Sequence, residues 1–314
     1  MSPAPTPTSA PPPVPGAHAA RTSPPATVPT TARTTDSLTY AAPTGTSGGP
    51  RLAVAPGARI AGPAPAARYG PGPGGGAGLL VPTPLGVLHA APVVVAPPDD
   101  PAEVWLVDTT VVRGQAAREA TAVLDAEELA RAAEFRQVTD RDGYVCAHVA
   151  LRRLLGAYLG VPAAEVRTRR DPCPHCGGPH GRPVLPDGRL HFSLSHCADL
   201  SLLAFATVPV GVDVEVVPDP RTIAETADVL HPREAAELAL RTPADRPLAF
   251  TRVWTRKEAY LKGRGIGLAE DPAADYVGSG AVPAALPGGW SLTDVLVPPG
   301  HWGAVAVQLP SRSP

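Results

Sequence analysis

After about residue 100, hydrophobic and polar positions follow two rhythms. In Val210-Gly211-Val212-Asp213-Val214-Glu215-Val216 they alternate strictly, the period-two mark of a strand with one apolar face. Glu103–Asp108, Leu190–Leu194 and Leu200–Ala206 read as further short strands, and Trp290–Val297 and Trp302–Gln308 as two more near the end. Helical signals lie between them. Asp125, with Glu128 three residues on, forms a capping box that starts a helix running to about Phe135. Tyr144, His148, Leu151, Leu155 and Tyr158 recur at helical spacing and predict a second helix, stopped by Gly160-Val161-Pro162. Arg152 and Arg153 on it are expected on a solvated face. Residues 171–189 form a Pro- and Gly-rich loop, and further helices are predicted near Pro232–Leu240 and from about Asp245 to Lys262. Strands and helices mix in similar proportion on both sides, so an α/β (α+β) fold of two related halves is expected, 101–208 and 209–314.

The first hundred residues lack both rhythms. They hold 22 of the 42 prolines, eight charged residues and two aromatics (Tyr40 and Tyr69), whereas all four Trp and all four Phe lie beyond residue 100. A Pro/Ala/Thr/Gly tract of this kind buries too little apolar surface to offset its ordering entropy, so residues 1–100 are expected to form a disordered tail. Met1-Ser2-Pro3-Ala4-Pro5 lacks the basic start and apolar core of a signal peptide. Leu79–Ala96, the most apolar part, is cut by Pro82, Pro84 and Pro92, which makes it a poor membrane span. A formal charge of −2 argues against a general nucleic-acid binder, and four cysteines are sparse for a disulfide-stapled secreted domain. A soluble, cytoplasmic monomer with no nucleic-acid or membrane partner is the expectation.

Candidate chemistry gathers at three places. On the alternating strand, Asp213 and Glu215 share a face opposite the valines. Side-by-side carboxylates repel unless a cation bridges them, which leaves two readings open: a Mg²⁺ site built on oxygen ligands, or a solvent-exposed edge face. The second place holds the only two lysines among 27 Lys and Arg residues, Lys257 and Lys262. Lysine is a compact, mobile point charge where arginine is a planar fork, so its use against this bias marks the stretch Trp254–Lys262. Trp254, Glu258 and Lys262 follow at i, i+4 and i+8 on one helical face. The third is Phe192-Ser193-Leu194-Ser195-His196, whose Ser195 and His196 are suited to donate to a phosphate. No Gly-x-Ser-x-Gly frame surrounds Ser195, which excludes a hydrolase elbow.

In this order and spacing, Ser195-His196, Gly211-Val212-Asp213-Val214-Glu215 and Trp254-Thr255-Arg256-Lys257-Glu258-Ala259-Tyr260-Leu261-Lys262 resemble the signature of the 4′-phosphopantetheinyl transferases of the Sfp type, over roughly residues 103–309. The resemblance implies two similar α/β halves related by a pseudo-twofold axis, with coenzyme A and Mg²⁺ between them. It implies passage of phosphopantetheine from coenzyme A to a serine of an acyl or peptidyl carrier protein, with release of 3′,5′-ADP, as in polyketide, nonribosomal peptide and fatty acid biosynthesis. By position, Asp213, Glu215 and Glu258 resemble the metal ligands. His196 with Ser195 resembles a contact to the coenzyme A phosphates, and Lys262 the cation facing the pyrophosphate. Glu258 is the candidate base, and Glu234 resembles a family glutamate near the metal. Lys257, about 100° around the helix from Glu258, is expected to support coenzyme A phosphates or the rim. Arg131 and Arg136 are candidates for the 3′-phosphate, and Gly181-Arg182-Pro183 resembles a turn beside the adenine.

Gly143 departs from the family pattern, which commonly has a phosphate-binding arginine there; Arg141 is a candidate substitute. This motivates a rival reading, a catalytically impaired relative that binds coenzyme A or carrier protein. From another class comes a zinc-binding interaction module around Cys173-Pro174-His175-Cys176, although a second Cys/His pair at finger or ribbon spacing is lacking. Gly263-Arg264-Gly265-Ile266-Gly267 ends a helix instead of starting one and reads as a C-cap, not a dinucleotide loop.

Overall fold

The computed structural model describes residues 69–70, 79–86 and 102–309, except 175, 179–180, 221–222, 224–228 and 268–269. The chain divides into two units, Met1–Thr35 and Asp36–Pro314, and every described residue belongs to the second. Most of the expected tail therefore lies outside the described residues.

Three short strands come first: β1 (Tyr69–Gly70), β2 (Leu79–Leu80) and β3 (Thr83–Pro84). The N-terminal half then runs β4 (Glu103–Asp108), α1 (Thr109–Val123), α2 (Ala126–Glu134), α3 (Val138–Leu159), the short β5 (Arg169–Arg170) and β6 (Pro183–Val184), β7 (His191–Cys197) and β8 (Leu200–Ala206). The C-terminal half runs β9 (Val210–Val216), α4 (Pro232–Ala239), α5 (Arg246–Arg264), β10 (Trp290–Val295) and β11 (His301–Gln308). The Asp125–Glu128 capping box forms at α2, and α3 and α5 end on Gly160 (φ 68°) and Gly265 (φ 77°), where glycine meets a left-handed cap at no steric cost. The expected strand at residue 190 is longer than predicted, reaching Cys197. Helix α1 was not predicted, because its apolar positions trace no clear stripe; Asp108 caps it by accepting from the Thr110 amide at 2.9 Å.

The two large sheets are β3-β4-β8-β7 and β1-β2-β10-β11-β9, and β5 and β6 pair separately as a two-stranded sheet. Within the large sheets the halves share one connectivity. Each runs strand, helices, strand, strand, with its three long strands ordered first, third, second (β4-β8-β7 and β9-β11-β10) and paired antiparallel. These two sheets bury a shared layer made by Val104, Leu202 and Ala204 on one side and Val210, Val212, Val214, Val305 and Val307 on the other. Helices α1 and α3 cover the outer face of the first sheet over Val107, Leu203 and Phe205, and α5 covers the outer face of the second. Both faces of β8 are thereby buried, which explains its unbroken apolar sequence. No described helix is long and apolar enough to cross a membrane.

Two expectations need correction here. The tail boundary at residue 100 is too late for residues 79–86, which join both sheets: Leu80 pairs with Val295 of β10, and Thr83 and Pro84 pair with Trp105 and Leu106 of β4. Leu80 (2% exposed) enters the layer between the sheets and Leu85 the outer core. Two leucines anchor a segment too short for a periodic signal. Arg152, in turn, is buried instead of solvated. It is bonded to Asp125, Glu128 and the Val166 carbonyl, and so fastens α2 to α3.

In the second half, three consecutive buried charges set how α5 is rotated. Arg256 is fully buried, donates twice to Asp294 of β10 (2.7 and 2.6 Å) and reaches the Gly278 carbonyl. Lys257 pairs with Glu234 of α4 at 2.8 Å and donates to the Asp275 carbonyl at 2.6 Å. Glu234, 0% exposed, also accepts from the Val277 and His231 amides. Burial holds the Lys257 ammonium below its ordinary pKa, opposed by Glu234. The expectation of Lys257 at a phosphate-facing rim is therefore overturned, and Glu234 is spent inside the fold, tied to α4 and the 277–278 loop.

Leu80→Ala is expected to cost about 2–5 kcal/mol in urea unfolding, as for other buried leucines, and an unchanged stability would show that the strap merely rests on the surface. Lys257→Met, which leaves Glu234 buried without its cation, is expected to cost about 3–5 kcal/mol. Pairing it with Glu234→Gln should recover part of that loss.

Candidate active site

The site is set by how closely α5 approaches β9. A Cβ added at Gly211 would lie 2.0 Å from the Ala259 carbonyl oxygen and 2.3 Å from the Gly263 amide nitrogen, both backbone atoms. Only glycine allows this contact. It lays the Glu258–Lys262 face of α5 over the strand face that carries Asp213, two residues beyond Gly211. The exposed-edge reading fails at Asp213, which is 1% exposed and covered by a helix.

Strands β7 and β9 are edge strands of different sheets, and side chains stitch them together. The Val212 amide donates to Ser193 Oγ at 3.1 Å, and Ser195 Oγ donates to Asp213 Oδ1 at 2.7 Å. Cys197 continues the same face of β7. Its thiol pKa is pushed up by burial, then by the nearby Glu215 and Asp213 charges, while the Val216 amide opposes the shift. Ser193 and Cys197 were missed by sequence reasoning. Their spacing of two residues on either side of Ser195 was the available signal.

Lys262 completes the cluster. Its Nζ donates to Asp213 Oδ1 at 2.6 Å and to Ser195 Oγ at 3.0 Å. Burial alone would lower its pKa, but the charges of Asp213, Glu258 and Glu215 raise it above the ordinary value, so the side chain remains an ammonium. The three expected metal ligands thus act on one cation. Glu258 is buried at 5% exposure and Glu215 half-buried. Among the described residues, no three His, Cys, Asp or Glu side chains are grouped as a metal cage. The donor chemistry nevertheless fits Mg²⁺, which takes one or two carboxylates together with phosphate oxygens. In addition, Asp213 Oδ2 is buried with no hydrogen-bond partner among the described residues.

The remaining candidates lie around this cluster. Ser195 and His196 do not form a pair aimed at one point: neighbouring residues on a strand face opposite sides, and Ser195 is turned toward Asp213. Arg182 donates to the Gly263 carbonyl at 2.6 Å, a cation at the C-terminal end of α5, and burial lowers its pKa. Arg131 pairs with Glu134 at 2.7 Å and lies over Phe135, which packs on Tyr144 at the start of α3. Arg136 is exposed between α2 and α3, and Arg141 is engaged with Asp142. Gly143 is buried beneath the β7–β8 turn, where an added Cβ would stand 3.5 Å from the Ala198 carbonyl, an ordinary contact. At the Cys173–Cys176 loop, Cys173 N–H donates to the Gly178 carbonyl and Gly177 N–H to the Cys173 carbonyl, two backbone bonds that close a tight turn. His175 and His180 lie outside the described residues.

Comparison with known proteins points to one superfamily. The model of the 4′-phosphopantetheinyl transferase superfamily matches residues 209–278, which hold β9, α4 and α5. The 4′-phosphopantetheinyl transferase HetI of Nostoc is 32% identical over 194 residues, covering 59% of this chain and 79% of the relative. The 4′-phosphopantetheinyl transferase gsp of Aneurinibacillus migulanus is 27% identical over 135 residues (42% and 53%). The 4′-phosphopantetheinyl transferase AcpT of Salmonella typhimurium is 39% identical over 93 residues (28% and 47%). The chain thus spans about half the length of these last two and most of the first. On the strength of that first match, together with the Asp213–Lys262 cluster, the chain belongs to the 4′-phosphopantetheinyl transferase superfamily.

Proposed function

We propose that this protein is a cytoplasmic, monomeric, Mg²⁺-dependent transferase that moves 4′-phosphopantetheine from coenzyme A to a serine of an acyl or peptidyl carrier protein. The observation that carries the reading is the buried Asp213, held by Ser195 and Lys262 on the face that α5 lays against β9. The identical connectivity of the halves supports a pseudo-twofold relation between them, with the site at their β7–β9 seam.

In this reading the carrier serine oxygen bonds to the phosphorus that bears pantetheine, the bond to the leaving 3′,5′-ADP breaks, and the serine proton passes to Glu258. Glu258 is assigned that task because it is the carboxylate, buried at 5% exposure, that α5 carries on the face it shares with Lys262. Asp213, Glu215 and Glu258 would hold Mg²⁺, which when bound neutralises the pyrophosphate oxygens. Lys262, a point charge on a flexible stem, meets the charge that builds on the leaving side. His196 is assigned to the coenzyme A phosphates, and Ser195 positions Asp213. Arg131 and Arg136 are assigned to the 3′-phosphate, and Arg182 to the adenine side.

The test is to incubate the protein with apo carrier domain, coenzyme A and Mg²⁺ and to look by mass spectrometry for phosphopantetheine on the serine. Asp213→Asn, which removes a ligand charge, and Glu258→Gln, which removes the base, are each expected to lower transfer by at least about a hundredfold with the fold intact. Full activity in either variant would move the chemistry elsewhere. The rival reading of an impaired relative rests on Gly143, where the first atom of a side chain is sterically tolerated. If it holds, Gly143→Arg lowers the KM for coenzyme A and restores transfer. An unchanged KM counts against it.

A further inference from the structure

Lys262 does more here than wait for a phosphate. Its Nζ and the Ser195 hydroxyl both donate to Asp213 Oδ1, while Oδ2 of the same carboxylate stays buried without a hydrogen-bond partner among the described residues. Asp213 cannot follow a new ligand outward, because it sits within β9 beneath α5 at 1% exposure. Lys262 can move: its side chain is 28% exposed and its ammonium ends a four-carbon stem. An ammonium and a divalent cation repel strongly at the distance one carboxylate imposes, so both cannot use Asp213 at full strength.

We propose that Lys262 is the internal counter-ion of Asp213, and that coenzyme A admits the metal by drawing this ammonium off Asp213 onto its phosphates. The inference rests on the metal and coenzyme A reading above and adds to it a reason for lysine at this position. An arginine fork would engage both oxygens of Asp213 and close the site, whereas an ammonium satisfies one and leaves the other. Because coupling between two ligands is reciprocal, the metal in turn tightens coenzyme A.

The experiment measures Mn²⁺ binding to the full chain from the paramagnetic resonance signal of free Mn²⁺, with and without coenzyme A and with no carrier protein, so that nothing turns over. A metal that bridges phosphates would couple to coenzyme A in any case, so the substitutions decide. Without coenzyme A, Lys262→Met is expected to bind Mn²⁺ about tenfold more tightly than the wild type, within the ordinary span of coupling effects, and to gain less when coenzyme A is added. Lys262→Arg is expected to bind Mn²⁺ more weakly than the wild type. A purely structural lysine would weaken binding in both variants, and that outcome, or a Lys262→Met no tighter than the wild type, overturns the proposal. If Lys262→Met does not melt cooperatively by circular dichroism, Lys262→Gln takes its place with the same expectation. Asp213→Asn separates the two layers. Loss of Mn²⁺ binding there supports the metal site whatever Lys262 does, and unchanged binding overturns the underlying reading.

Discussion

The contact between Gly211 and the backbone of α5 is the constraint from which the site follows. With any Cβ at that position the Ala259 carbonyl and the Gly263 amide would have to retreat, and β9 would separate from its helix. Because they touch, Asp213 is carried under Lys262, and a strand face that would otherwise be wet becomes a buried, charged surface. Gly263 serves the same approach from the helix side, since a Cβ there would stand 3.1 Å from the Gly211 amide nitrogen and would also meet the Trp290 ring of β10 at 2.5 Å.

Such closeness positions a helix along one line but does not fix its rotation. That is the contribution of Arg256, Lys257 and Glu258, three neighbouring charges all but excluded from water. Buried charges are costly unless paired, and each of the two cations finds its partner in a different direction, on β10 for Arg256 and on α4 for Lys257. Turning α5 by one residue would leave ions buried without partners. The third charge, Glu258, is thereby held toward the Asp213 face.

On the other side, the two halves meet through serines. Edge strands ordinarily leave a row of unpaired amides and carbonyls. Here Ser193 accepts from the β9 backbone and Ser195 donates to a β9 side chain, so the seam is closed by hydroxyls. The same Ser195 hydroxyl also accepts from Lys262, which ties the geometry of the seam to the charge state of the site.

Much of this was legible along the chain, because local rules govern it: the alternation of β9, the capping box of α2, the glycine stop of α3, and the shared face of Trp254, Glu258 and Lys262. Family resemblance added the roles proposed for Asp213, Glu215 and Glu258. What escaped were features made by partners distant in sequence. Nothing near Lys257 reveals that Glu234 faces it, nothing near Arg152 announces Asp125 and Glu128, and residues 79–86 are too short to show a period before two sheet edges receive them. By itself the sequence determined which residue types stand at which intervals, and hence which elements form and which chemistry is available. Only the tertiary structure decided which charges are buried together and which cation Asp213 holds, because burial and pairing depend on surfaces that meet only when the two halves close.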